Sequence, residues 1–152
     1  MHILFVCSGN TCRSPMAEAL FTDLFAKMRK SRQGTEVIAR SAGIFAFDGQ
    51  PANRDAVAVM AEMGIDISSH RSKALDEDLV QWADLIVTMT EAQYREIMEC
   101  YQVPSAKVKV LGKFSLGSHE NVVDPFGSDI GTYRRCAKQI RNMIIEVVKK
   151  FS

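Results

Sequence analysis

What the chain has little of narrows it first. Only four of its 152 residues are cysteine, at 7, 12, 100 and 136, and their spacing forms no framework of paired bridges. A small secreted disulfide scaffold is thereby excluded, and a reducing, cytoplasmic setting is expected. Cys7 and Cys12 could form half of a zinc site, but neither the other two cysteines nor the three histidines supply a second pair, so no metal is expected. No apolar run approaches the roughly 18 residues of a membrane span, and the first residues enter a strand without the basic region of a secretory leader. The net charge of +1 has no excess of one sign, which argues against a general nucleic-acid binder. No repeat, low-complexity tract or linker interrupts the chain. One domain over residues 1–152 is expected, large enough to bury a core without staples, and monomeric.

What is present is an alternation of short apolar runs and helical periodicities. Ile3 to Val6, Val37 to Ala39, Leu85 to Val87 and Val108 to Leu111 read as buried strands. Between them, Met16, Leu20, Leu24 and Met28 mark one helix face, ending in Lys27, Arg29, Lys30 and Arg32 before Gly34. Asn53 caps a helix carrying Ala56, Val59, Met60 and Met63, which Gly64 stops. A short helix is expected near Asp76–Trp82, another from Thr90 to about Tyr101, and a last one over about 129–150. Residues 112–128 read as a long loop. Strands separated by helices predict an α/β fold: a three-layer sandwich with a central, mostly four-stranded parallel sheet and helices on both faces. Such sheets bind ligands at the carboxyl ends of their strands.

The stretch Cys7-Ser8-Gly9-Asn10-Thr11-Cys12-Arg13-Ser14 occupies such an end, followed by Pro15 and a helix. Ser14 is expected as the helix N-cap, with Pro15 at the first helical position. Strand, tight loop and helix N-terminus together form a nest of N–H groups aimed at one point, and Arg13 adds a planar fork suited to phosphate oxygens. A cysteine at the strand end, under the helix dipole and near an arginine, is surrounded by groups that stabilise a thiolate. The pattern describes a nucleophile at the bottom of an oxyanion cradle. It also suggests that peroxide would couple Cys7 to Cys12 reversibly. Cys100 and Cys136 fall on helices and read as structural. Asp124-Pro125 in the long loop reads two ways, as a turn initiator or as an acid for a leaving group. His70 and Ser41 read as structural residues, His70 beside the active loop.

These residues resemble the low-molecular-weight protein phosphatase family. Cys7 through Pro15, Ser41-Ala42-Gly43, His70 and Asp124-Pro125 stand in that family's order and approximate spacing. The resemblance implies Cys7 as nucleophile, Arg13 as phosphate holder and Asp124 as general acid, acting on phosphorylated proteins without a cofactor. It also implies a phosphate-binding loop of Ser8, Gly9, Asn10, Thr11, Cys12 and Ser14, supported by Ser41 and His70. Thr11, with Phe126 after the Asp-Pro pair, resembles the bacterial branch that acts on phosphoarginine; a tyrosine phosphatase is the alternative. Arsenate reductases share the loop but need a neighbouring cysteine pair, which Cys100 lacks. A non-catalytic phosphopeptide binder would be expected to lack Cys7 or Asp124.

Overall fold

The computed structural model describes residues 1–29, 34 and 36–152. Its centre is β1 (His2–Cys7), whose last five residues are all buried. Ile3, Phe5 and Cys7 join one apolar cluster, while Leu4 and Val6 join the other, as a two-residue period requires of a strand covered on both faces. Parallel β2 (Ile38–Gly43) pairs on one side of β1 and β3 (Leu85–Thr88) on the other, with β4 (Val108–Val110) at the far edge, in the order β2-β1-β3-β4.

The chain therefore reverses its direction of winding after β2, and the helices divide between two faces. On one face lie α1 (Arg13–Met28), α2 (Arg54–Glu62) and α6 (Ile130–Lys149); on the other lie α3 (Glu77–Trp82) and α4 (Glu91–Cys100). Winding of this kind leaves a crevice at the carboxyl end of β1, where the strand order switches. Cys7 ends β1 there. Phe5 packs on Phe21 of α1 at 5.8 Å between rings, and Phe21 stacks on Phe25 at 5.6 Å. Strand and helix are thus locked together on either side of the loop that joins them.

Three local expectations are corrected. Ser14 is not the N-cap of α1: the helix begins at Arg13, with Cys12 in the cap position and no side-chain cap bond. Pro15 accordingly sits third in the helix, where its missing N–H is still harmless. The stretch 112–128 is not wholly loop, because Leu111–Leu116 forms α5. Gly112 stands in its first turn, where a side chain would collide with the backbone oxygen of Glu120 as the chain returns, so glycine is what permits the packing. β2 also runs on through Ser41, Ala42 and Gly43 instead of stopping at Ala39, because each pairs with β1. Lys30 and Arg32, expected at the end of α1, lie outside the described residues.

Candidate active site

The sharpest local feature of the Cys7–Ser14 loop is Asn10. It is fully buried and holds φ at +56°, a left-handed conformation unfavourable for a side-chain-bearing residue. Its bonds hold it there. Its Nδ2 donates to Ser14 Oγ at 2.8 Å and to Ser41 Oγ at 3.0 Å, and its Oδ1 accepts from the Lys73 N–H at 2.9 Å. His70 Nε2 reaches the Asn10 carbonyl at 2.8 Å. Gly9, the loop's only glycine, is not at a positive φ. The glycine that matters is Gly43 at the end of β2, where a Cβ would meet Asn10 N at 2.9 Å. Its bareness lets β2 press against the loop.

These contacts converge on the sulfur of Cys7, a residue only 2% exposed. The Asn10 N–H donates to Cys7 Sγ at 3.3 Å, and Ser14 Oγ stands 2.9 Å away. Because Ser14 Oγ accepts from Asn10, its own proton is left to point at the sulfur or, at 3.4 Å, at the Ala42 carbonyl. The sulfur is the nearer. Two donors thus face an atom that carries negative charge when ionised. The absent N-cap has its reason here: a capping side chain would occupy N–H groups that face the crevice, whereas α2, α3, α4 and α6 all begin under side-chain caps.

Arg13, 5% exposed, donates from Nη1 to the Val122 carbonyl at 3.0 Å. Its Nη2 stands 3.7 Å from Asp124 Oδ2. Val122 in turn donates to the carbonyl of Met89, just past β3, so the base of the segment around Asp124 is pinned between sheet and arginine. Beyond that pin, Asp124 is half exposed, and its Oδ1 accepts from the Phe126 N–H at 3.0 Å. The Asp-Pro turn therefore exists, and its carboxylate still lines the crevice. A cavity of about 240 Å³ above Cys7 is bounded by Gly9, Asn10, Thr11, Cys12, Arg13, Asp124 and Phe126. Gly9, Asn10, Thr11 and Cys12 of the expected phosphate loop thus line the cavity together with both residues expected from the Asp124 segment, while Ser14 meets the sulfur and Ser8 instead accepts from Gln93.

Cys12 is buried against Tyr133 of α6, its Sγ 3.5 Å from the phenol oxygen, and burial pushes its thiol up despite that bond. Cys136, one turn further along α6, is buried beneath Val123, and burial raises its thiol to about 12. Cys100 is exposed at the end of α4 and supports no core, contrary to expectation. Gln93 was missed by sequence reasoning. Its Oε1 accepts from Met89 and Thr90 in the α4 cap, while its Nε2 donates to Ser8 Oγ at 3.3 Å. The Thr90-x-x-Gln93 pattern signals a capping box, but not that the same amide touches the active loop.

Residues 2–152 match the family model described as low molecular weight phosphotyrosine protein phosphatase. The chain belongs to that family. It is 38% identical over 150 residues to a protein-arginine-phosphatase of Bacillus subtilis, covering 99% of this chain and 96% of the relative. It is 42% identical over 141 residues to a probable low molecular weight protein-tyrosine-phosphatase, EpsP, of Ralstonia nicotianae, covering 91% and 88%. A solved structure of the YwlE arginine phosphatase, a cysteine-to-serine variant with a phosphorylated active-site serine, superposes with a TM-score of 0.90 at 37% identity, covering 99% of this chain and 95% of that one. The protein is a cysteine-dependent phosphatase. Among the described residues, no helix is long and apolar enough to cross a membrane.

Proposed function

We propose that this enzyme removes phosphoryl groups from phosphoarginine side chains of proteins in the cytoplasm, with Cys7 as nucleophile, Arg13 holding the phosphoryl oxygens and Asp124 as general acid. One observation carries the choice of substrate: Thr11 and Asp124, a hydroxyl-bearing and a carboxylate-bearing residue, line the same cavity over Cys7. A guanidinium is planar, cationic and rich in N–H donors, so a hydroxyl and a carboxylate partner it where an apolar wall would not. The B. subtilis relative named for arginine supports the same reading.

Loop N–H groups and the Arg13 fork stabilise the equatorial oxygens of an in-line transition state. The Cys7 thiolate forms a bond to phosphorus as the phosphorus–nitrogen bond breaks, and Asp124 gives its proton to the departing nitrogen. Asp124 then takes a proton from water, which attacks the phosphocysteine and releases phosphate and the thiolate. Asn10, Ser14, Ser41 and His70 hold the loop in its strained shape throughout. Ser8, Gly9 and Cys12 contribute to the cradle.

Phosphotyrosine is the second reading, favoured by exposed Phe126, whose ring could lie against a phenyl group, and by the tyrosine-named Ralstonia relative. The deciding experiment compares kcat/KM for phosphoarginine and phosphotyrosine in one peptide context, on wild type and Thr11→Ile. Both residues are β-branched, so the backbone preference is kept while a hydroxyl becomes apolar bulk. Thr11→Ile is expected to lower phosphoarginine hydrolysis by roughly 5- to 150-fold and to leave phosphotyrosine hydrolysis equal or improved. An unchanged ratio, or a wild type preferring phosphotyrosine, retires the arginine reading.

A further inference from the structure

The sheet stops at β4, and beside that strand lies a cavity of about 650 Å³, larger than the one over Cys7. Tyr94 and Arg95 of α4 wall one side of it, Lys113 and Phe114 of α5 wall the other, and Val108 to Val110 form the floor. Doubly wound sheets with strand order 2-1-3-4-5 place a further strand at this position. Here no further strand follows, and among the described residues β4 pairs only with β3. We propose that this slot binds an extended acidic segment of a partner protein, laid along the outer edge of β4 as a fifth strand.

Three features define the occupant. The first is backbone: an edge strand presents unpaired N–H and C=O groups that an extended chain can satisfy, as in strand-addition complexes. The second is charge. Arg95, Lys109 and Lys113 line the slot, and none of them pairs with a carboxylate among the described residues. The slot's one carboxylate, Glu91, is itself 3.1 Å from His119. Lys150 adds a cation over the Phe114 ring at 5.2 Å. The third is the mixed lining, in which Tyr94, Val110 and Phe114 offer apolar contact between the cations. A strand with acidic side chains on one face and apolar ones on the other fits both.

The bland role of Lys109 is to keep one edge from pairing with another copy of itself. That role agrees with the proposal, since the cations that repel a second copy attract an acidic chain. α4 also joins the slot to the active loop: Gln93, between slot-lining Glu91 and Tyr94, bonds Ser8. A segment held here would leave its flanking residues within reach of the face that carries the Cys7 crevice.

The test is titration of the full-length enzyme with a short labelled peptide alternating glutamate and valine, followed by fluorescence anisotropy and by amide shifts in NMR. Saturable binding is expected, weakening as salt is raised, with shifts at Arg95, Lys109, Lys113 and Phe114. The pair Lys109→Glu and Lys113→Glu should lower affinity at least about tenfold while hydrolysis of a small aryl phosphate is unchanged. Arg95→Glu, on the exposed side of α4, provides the same test without touching the sheet. Absence of saturable binding, equal binding by the charge-reversed variants, or shifts confined to the Cys7 cavity would overturn the proposal. So would tighter binding of a single-stranded oligonucleotide, or a wild-type dimer dissolved by the same substitutions.

Discussion

The two sides of the crevice are built in opposite ways. In the Cys7–Ser14 loop, Cys7, Asn10, Cys12, Arg13 and Ser14 are buried, and Asn10 at its centre bonds Ser14, Ser41, Lys73 and His70. The segment carrying Asp124 is pinned at Val122, but its working residues stand in solvent: Asp124 is half exposed and Phe126 is 71% exposed. A phosphoryl group has one shape, so its donors work best held rigidly in advance. Leaving groups differ in size and position, and the acid that serves them needs less rigid support. The difference teaches that stability and catalysis should separate here. Substitutions at the buried residues that hold the loop's shape should damage both, whereas those at Asp124 should damage catalysis alone.

The largest effect is expected at the sulfur. Cys7→Ser should abolish multiple turnover yet still bind vanadate, because the cradle consists of backbone and Arg13. Undiminished turnover would break the assignment of Cys7 as nucleophile.

Asp124→Asn comes next. It should lower kcat by roughly 10²- to 10⁴-fold for poor leaving groups, and less for an activated aryl phosphate. Its ion pair with Arg13 is long and half exposed, so unfolding free energy should move by no more than about 0.5 kcal/mol. A uniform loss across leaving groups would make Asp124 a binding residue.

Asn10→Ala sharpens the contrast from the other side. It leaves the Lys73 N–H without its acceptor and Ser14 and Ser41 without their donor, and it puts alanine at φ +56°. A loss of about 2–4 kcal/mol in denaturant unfolding is expected, with kcat reduced roughly 10²-fold as the cradle loosens. A fall in activity with stability intact would mean that the loop is not held in the way its bonds suggest.

The smallest effect concerns His70. Burial lowers its pKa below the ordinary 6.5, outweighing the bond to Asn10, and Arg71 lowers it further. The unfolded chain therefore holds more protons just below pH 6.5, and stability rises with pH across that window. The contribution is complete above 6.5 and is lost as the pH falls toward the folded value. Thermal unfolding at about pH 7.5 and about pH 5.5 should show a larger acid loss in wild type than in His70→Gln, which keeps a donor for Asn10 but does not titrate. Equal losses would remove His70 from the loop's support.

The order of strands and helices, the sheet's parallel character and the position of the Cys7 loop at a strand end were legible in the sequence, because hydrophobic period and chain order are local properties. Cys7, Arg13 and Ser14 lie within one loop and could be read together for the same reason. Other features depended on segments far apart in the chain. The shape of Asn10 rests on Ser41, His70 and Lys73, and no local pattern names a residue's distant hydrogen-bond partners. Ser14 satisfies every local rule for an N-cap, yet it turns to the sulfur because the helix terminus is kept for an anion. Only the returning chain at Glu120 shows what the missing side chain of Gly112 makes room for. Asp124 could be a turn residue, an acid or both by sequence; only the docking of Val122 on Arg13 and Met89 brought its carboxylate to the crevice. Periodicity along the chain determines which elements form, and the packing of distant elements decides which atoms meet.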